Sequence, residues 1–162
     1  MLPLPPPLPP ALILGAATGV LSALLIAVAV IDARTQRIPD LLNATLGIMG
    51  FIAVWALGLS LTDAAIGAAA GYAALAGMAH LYFHARGQDG LGLGDAKLFA
   101  AGGAWIGWLG LPFALLFAAT TALAFVAAQR VFAGSATLSD RIAFGPFLGA
   151  GIMLVWIVQR FG

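Results

Sequence analysis

Apolar residues run in long blocks along this chain, and the charged residues are confined to the short segments between them. A membrane-spanning helix needs about 20 predominantly apolar residues. Ala11 to Ile31 is an uncharged run of that length, and Leu41 to Leu61 is a second, with Asn43 and Thr45 near its start. Ala64 to Phe83 is a third, interrupted only by Tyr72 and His80. The next uncharged run, Leu98 to Gln129, would extend about 48 Å as one helix, too long for a ~30 Å hydrocarbon core. Gly107-Trp108-Leu109-Gly110-Leu111-Pro112 supplies a break. The pattern therefore predicts a short helix over 98–106, a span over 112–128 and a last span over 142–158. The expected fold is an all-α integral membrane protein, a six-helix transmembrane bundle with a short fourth segment.

Basic residues set the expected orientation. Arg34 and Arg37 lie in the first connection, Arg86 and Lys97 in the third, and Arg130 and Arg141 in the fifth. Only Arg160 falls on the other side. The odd connections are then cytoplasmic and both termini face outside. Six of the nine prolines lie in residues 1–10, which reads as a polyproline-II tail. That tail has no basic n-region of a cleaved signal peptide, so the first span is expected to be a retained anchor. Residues 11–162 read as one membrane-embedded domain.

Composition narrows the chemistry. Of 162 residues 62% are apolar and 8% charged, against about 25% charged in a soluble domain. That excludes an ordinary cytosolic enzyme, a nucleic-acid binder and a disordered tail, and makes the lipid bilayer the first expected partner. There is no Cys, hence no thiolate nucleophile and no Cys-ligated metal. Glu is absent as well.

Two segments concentrate the charge on the expected cytoplasmic face. One is Ile31-Asp32-Ala33-Arg34-Thr35-Gln36-Arg37-Ile38-Pro39-Asp40, and the other is Gly90-Leu91-Gly92-Leu93-Gly94-Asp95-Ala96-Lys97-Leu98. Two carboxylates held about 3 Å apart cannot both ionise and so share a proton. The ionised one can act as base on a water while the protonated one donates to a peptide carbonyl oxygen. Asp32 and Asp95 are the candidates, with Asp40 the rival first carboxylate. Glycines before Asp95 would let an extended substrate approach closely.

Gly92-Leu93-Gly94-Asp95 is a GxGD motif, and GLGLGDAKLFAAGGAWIGW resembles the matching stretch of bacterial type IV prepilin peptidases. IDARTQRIPD is similar to that family's first aspartate segment, and Phe144-Gly145-Pro146-Phe147-Leu148 to its closing segment. The resemblance implies an intramembrane aspartic endopeptidase of the bacterial plasma membrane, catalytic through Asp32 and Asp95. Pro39, Asp40, Gly92, Gly94 and Lys97 are implied as motif and substrate-approach positions. The implied substrates are type IV prepilins, pseudopilins or Flp-type pilins, cleaved after a Gly on the cytoplasmic side. No metal or other cofactor is implied. Longer members carry a cysteine-containing N-terminal region and also N-methylate the new terminus. This chain lacks those cysteines, so the resemblance implies a minimal, peptidase-only form and leaves methylation unassigned.

Other polar residues have plainer readings. Asp95 also fits a helix N-cap, and Asp40, Asp63 and Asp140 are read as caps, with Asp89 solvated. Lys97 either biases the charge of the carboxylate pair or snorkels to headgroups. His80 and His84, four apart, share a helix face and are read as interface histidines rather than a zinc pair. Gly67/Gly71, Gly103/Gly107 and Gly145/Gly149 predict close helix packing. Trp55, Trp105, Trp108 and Trp156 are read mostly as an interfacial aromatic belt. A proton-coupled transporter and a non-catalytic pilus or secretion assembly subunit are the competing functions.

Overall fold

The computed structural model describes residues 9–87, 92–133 and 143–162. Residues 1–8 of the proline-rich tail, and Asp89, Gly90, Asp140 and Arg141, lie outside the described residues. Five helices are present among those described: α1 (Pro10–Thr35), α2 (Asp40–Ala56), α3 (Leu61–Arg86), α4 (Leu93–Ala133) and α5 (Gly145–Phe161). Three stretches, Pro10–Thr35, Leu61–Ala85 and Leu93–Val131, are long and apolar enough to cross a membrane. Large apolar side chains also cover the outside, among them Ile26, Leu41, Phe113 and Leu123, each more than half exposed. In water that surface would be costly; in lipid it is the expected exterior.

The boundaries follow local chemistry. Pro10 opens α1 at the first helical position, where its missing N–H costs nothing, so the tail ends one residue sooner than its composition suggests. The second apolar run, expected to reach Leu61, stops being helical at Ala56. The chain turns there through Gly58, whose φ of 67° suits glycine. Ser60 then caps α3, its hydroxyl accepting the Asp63 N–H at 3.1 Å. Asp63 is therefore a first-turn residue and not the cap.

The principal correction concerns α4. The pattern predicts two separate segments with a connection over 107–112. The structure keeps two helical limbs and joins them at Gly107 alone, with φ 66° and ψ 175°, so the break is one residue wide and only its width differs. Pro112 lies inside the resumed helix. A single residue suffices because glycine tolerates a backbone that other residues resist. Contacts with α5 show what the interruption does. Gly102 faces Ile152 and the Gln159 side chain bonds Ile106 O, so the limb before Gly107 runs along α5. After Gly107, Gly110 faces Val155, Gly151 faces Ala114 and Phe125 stacks near Phe147. The second limb therefore runs back against α5.

The first limb of α4 sits at the centre. On one side it meets α3 with almost no side chain between the backbones: a Cβ on Gly67 would collide with Gly103 O, and one on Gly103 with Gly67 O. Such contacts let two helices approach to van der Waals distance of their main chains. On the other side Trp105 packs edge-on against Trp156, ring centroids 5.3 Å apart. Their indole N–H groups reach inward, Trp105 to Leu46 O at 2.9 Å and Trp156 to Thr18 Oγ1 at 3.0 Å. These two tryptophans are core residues joining α1, α2, α4 and α5, not parts of an interfacial belt. Trp55 and Trp108 are the exposed pair. Around the buried pair Leu21, Leu46, Phe99, Leu148 and Ile152 are fully buried.

Widening the α3–α4 contact should cost more than widening a lipid-facing one. Gly103→Val is expected to destabilise the protein by ~1–3 kcal/mol or more, since the obstruction is backbone and cannot rotate away. Gly77→Val, where a Cβ would meet nothing within 4 Å, is expected to be within ~0.5 kcal/mol of neutral. Thermal unfolding of the two variants in the same detergent checks the contrast.

Candidate active site

One end of the bundle gathers the charged segments. Asp32 lies in the last turn of α1. The next turn ends at Gln36, which takes the left-handed conformation (φ 51°) and donates its N–H to Asp32 O at 2.8 Å. The chain then runs extended to Pro39, the cap position of α2. This short return tucks Ile38 beneath the first turn of α4, where it is buried and would lie in ordinary contact with a Cβ on Gly94. Gly92 leads into α4, and its carbonyl accepts the Asp95 N–H at 3.1 Å. Asp95 is thus the third residue of α4 and not its cap. A carboxylate there is favoured by the positive end of the helix dipole.

Asp32 is only 5% exposed, which an unpartnered carboxylate could not sustain. Its partner is a backbone donor from the far end of the sequence: Gly145 N donates to Asp32 Oδ2 at 2.9 Å. The first N–H groups of a helix have no internal acceptor, and α5 begins at Gly145 with Pro146 as its second residue. Asp32 therefore caps α5 from another helix. Gly145 has to be glycine for this geometry, since a Cβ there would stand 2.6 Å from Asp32 Oδ2.

Asp32 and Asp95 line one cavity of about 310 Å³, together with Gly92, Gly94, Arg37 and Asp40. Of the other motif positions, Asp40 does not cap α2. Its Oδ1 accepts from Lys97 Nζ at 2.6 Å, an ion pair with both side chains substantially exposed. Lys97 is thereby engaged with Asp40 beside the cavity. Pro39 sets the entry into α2 and does not line the cavity. His80 and His84 face each other, Nε2 to Nε2 at 3.0 Å, on the exposed side of α3. Among the described residues no three His, Cys, Asp or Glu side chains cluster as metal ligands.

Two residues escaped the reading of the sequence. One is Gly145, read as part of a motif and as a packing glycine but not as the donor to Asp32. The other is Asn43, an apparently incidental polar residue in an apolar run. It is 4% exposed, and its Nδ2 donates to Gly94 O at 3.3 Å. It ties α2 to the turn that carries Asp95. The signal that could have found it is its cost: a buried amide is kept only where it bonds something.

The model of the type IV leader peptidase family matches residues 19–127. The chain is 42% identical over 137 residues to a prepilin leader peptidase/N-methyltransferase of Burkholderia pseudomallei (strain 1026b), covering 84% of this chain and 44% of that protein. It is 38% identical over 143 residues to one of Pectobacterium carotovorum subsp. carotovorum, covering 88% and 51%. For one of Escherichia coli (strain K12) the identity is 39% over 134 residues, covering 79% and 59%. The chain spans about half the length of the curated relatives it matches. No solved structure matches it.

The contact between Gly145 and Asp32 can be measured without any assay of activity. Gly145→Ala is expected to destabilise the protein, and to do so less when Asp32 is also changed to Ala. The coupling expected for groups in direct contact is ~0.5–3 kcal/mol. Additive effects in a double-mutant cycle of thermal unfolding would show that the two do not meet.

Proposed function

The chain belongs to the type IV leader peptidase family, and from that membership we propose that it is an intramembrane aspartic endopeptidase that removes the leader of type IV prepilins, pseudopilins or Flp-type pilins. The observation that carries this reading is the convergence of Asp32 and Asp95, 63 positions apart, on one cavity beside the glycine turn. One ionised carboxylate takes a proton from water as the oxygen attacks the scissile carbonyl carbon. The other, protonated, donates to the carbonyl oxygen as the tetrahedral intermediate forms. Passing a proton from the pair to the leaving amine breaks the C–N bond. Which aspartate starts as base is a property of the pair and not of either residue. Gly92 and Gly94 leave room for an extended substrate backbone, and Asp40 and Lys97 flank its approach.

A groove of about 410 Å³ begins at Asp40, Asn43 and Lys97 and continues between α2 and α3 over small residues, Gly47, Ala68 and Ala101. It shares Asp40 with the cavity of Asp32 and Asp95 and offers the apolar segment after the cleavage point a place next to it. In the bilayer the two limbs of α4 cross separately, making six crossings with both termini outside. Arg34, Arg37, Arg86, Lys97 and Arg130 then lie at helix ends on the site's side, with Arg160 opposite. That asymmetry supports a cytoplasmic face for the aspartates in a bacterial plasma membrane.

Co-expression with a prepilin, with precursor and mature pilin then separated on a gel, tests the assignment. Asp32→Asn and Asp95→Asn keep size and lose the ionisable proton, and each is expected to slow processing at least ~10³-fold. Normal processing by either variant would remove that residue from the mechanism. The wild-type rate is expected to follow a bell-shaped pH profile. It falls on the acid side as both carboxylates take protons and no base remains. It falls on the alkaline side as both lose them and no acid remains.

A further inference from the structure

A second polar cavity lies at the opposite end of the bundle from Asp32 and Asp95. Its volume is about 290 Å³, and it is bounded by the α2–α3 connection, the reversal at Gly107 and the end of α5. Ser60, Asp63, Trp108, Gln159 and Arg160 supply its polar and aromatic lining. None of these has a part in the proposed peptidase chemistry.

The cavity holds one cation and one anion that do not meet. Arg160 and Asp63 both line it, yet no ion pair joins them among the described residues. The guanidinium of Arg160 lies over the Trp156 ring, 4.8 Å from its centroid. That cation–π contact holds the group in place but gives its N–H donors no acceptor. Its Nε is sealed from solvent and has no hydrogen-bond partner among the described residues. A ligand entering the cavity therefore meets the remaining, partly exposed portion of the guanidinium and not Nε. Asp63 is exposed in the first turn of α3 and has no cation bound to it among the described residues. Gln159 is anchored, its Nε2 donating to Ile106 O at 3.0 Å, so the wall beside Arg160 is built and does not depend on a ligand.

A ligand that answers both groups carries an anionic oxygen group for the partly exposed Arg160 side chain and a hydrogen-bonding cation for the exposed Asp63 carboxylate. Both must sit within one small volume at the edge of the apolar bundle, beside the half-exposed ring of Trp108. Tryptophan favours the headgroup level of a bilayer. We propose that this cavity seats the headgroup of a zwitterionic phospholipid with a primary ammonium, phosphate on Arg160 and ammonium on Asp63. A phosphatidylcholine headgroup supplies the phosphate, but its trimethylammonium has no N–H to give Asp63. A phosphatidylglycerol headgroup supplies the phosphate and no cation at all. The site is thus selective for phosphatidylethanolamine by its chemistry.

Binding of dioleoyl-phosphatidylethanolamine, -choline and -glycerol to the purified, delipidated full chain, read by native mass spectrometry, tests this. Phosphatidylethanolamine is expected to bind about tenfold more tightly than either competitor, the worth of one charge-assisted hydrogen bond. Arg160→Gln should weaken all three lipids, whereas Asp63→Asn should weaken phosphatidylethanolamine alone. Soluble glycerophosphoethanolamine, lacking acyl chains, should bind far more weakly than the lipid. Equal binding of the three lipids by the wild-type protein would overturn the proposal, even if neither variant folds. So would selectivity that survives both substitutions, or glycerophosphoethanolamine binding as tightly as the lipid, which would point to a soluble ligand. Processing of a prepilin by Asp63→Asn is a separate readout, so loss of lipid selectivity and loss of peptidase activity are distinguishable.

Discussion

The near-contact of two helix backbones at Gly67 and Gly103 governs the rest of the arrangement. With no side chain between them, α3 lies against the first limb of α4 for much of its length. That contact leaves the chain at Gly107 next to Asp63 and the start of α3, with nowhere to continue but back. The returning limb packs along α5 through Ala114 and Gly151. α5 is thereby held between both limbs, and its first residue arrives beside Asp32. A carboxylate at the end of one helix and an unpaired N–H at the start of another then satisfy each other. Bilayers favour such solutions, because a polar group there finds a partner in the protein or none.

Two features rest on this frame and have different tolerances. The Asp32–Asp95 end is built from turns: Gln36 in the left-handed region, Pro39, and the glycines before Asp95. Three contacts from elsewhere hold them, namely Gly145 on Asp32, Ile38 under Gly94 and Asn43 on Gly94 O. The carboxylates are thus positioned by their neighbours more than by their own helices. At the other end the Trp105–Trp156 pair joins α4 to α5, and Arg160 over Trp156 extends that stack to the second polar cavity. A single aromatic column therefore connects the core to the second polar cavity.

Much of this is legible in the order of residues, for an energetic reason. Charges are so scarce that each has a strong reason for its place, and Asp32 and Asp95 are singled out among six aspartates by the motif segments in which they stand. The small-residue spacings also declare close packing, and α3 and α4 pack there. The weak point is the assumption that a residue near the end of an apolar run acts locally. Asp40 and Asp63 resemble caps because each stands at the head of an apolar run. In space Asp40 meets Lys97, 57 positions away, and Ser60 caps α3. Trp105 and Trp156 look interfacial from their positions, but the direction of a ring about its helix is set by which neighbour offers an acceptor. The break in α4 falls in the expected region but is narrower than expected, because one glycine outside the helical region reverses the chain.

Hydropathy and motif order already carry the apolar environment and the family of this protein. Apolar blocks of spanning length demand helices in lipid, and three ordered segments around Asp32, Asp95 and Gly145 are enough to mark the family. Those are properties of residue type and local spacing, which hydropathy and backbone sterics decide over a few turns. Only the tertiary structure decided which groups meet. Gly145 reaches Asp32 across 113 positions and Asn43 reaches Gly94 across 51, while Arg160 and Asp63 share a cavity without pairing. Such meetings depend on how backbones approach and how helices rotate against one another, and no local preference carries that information.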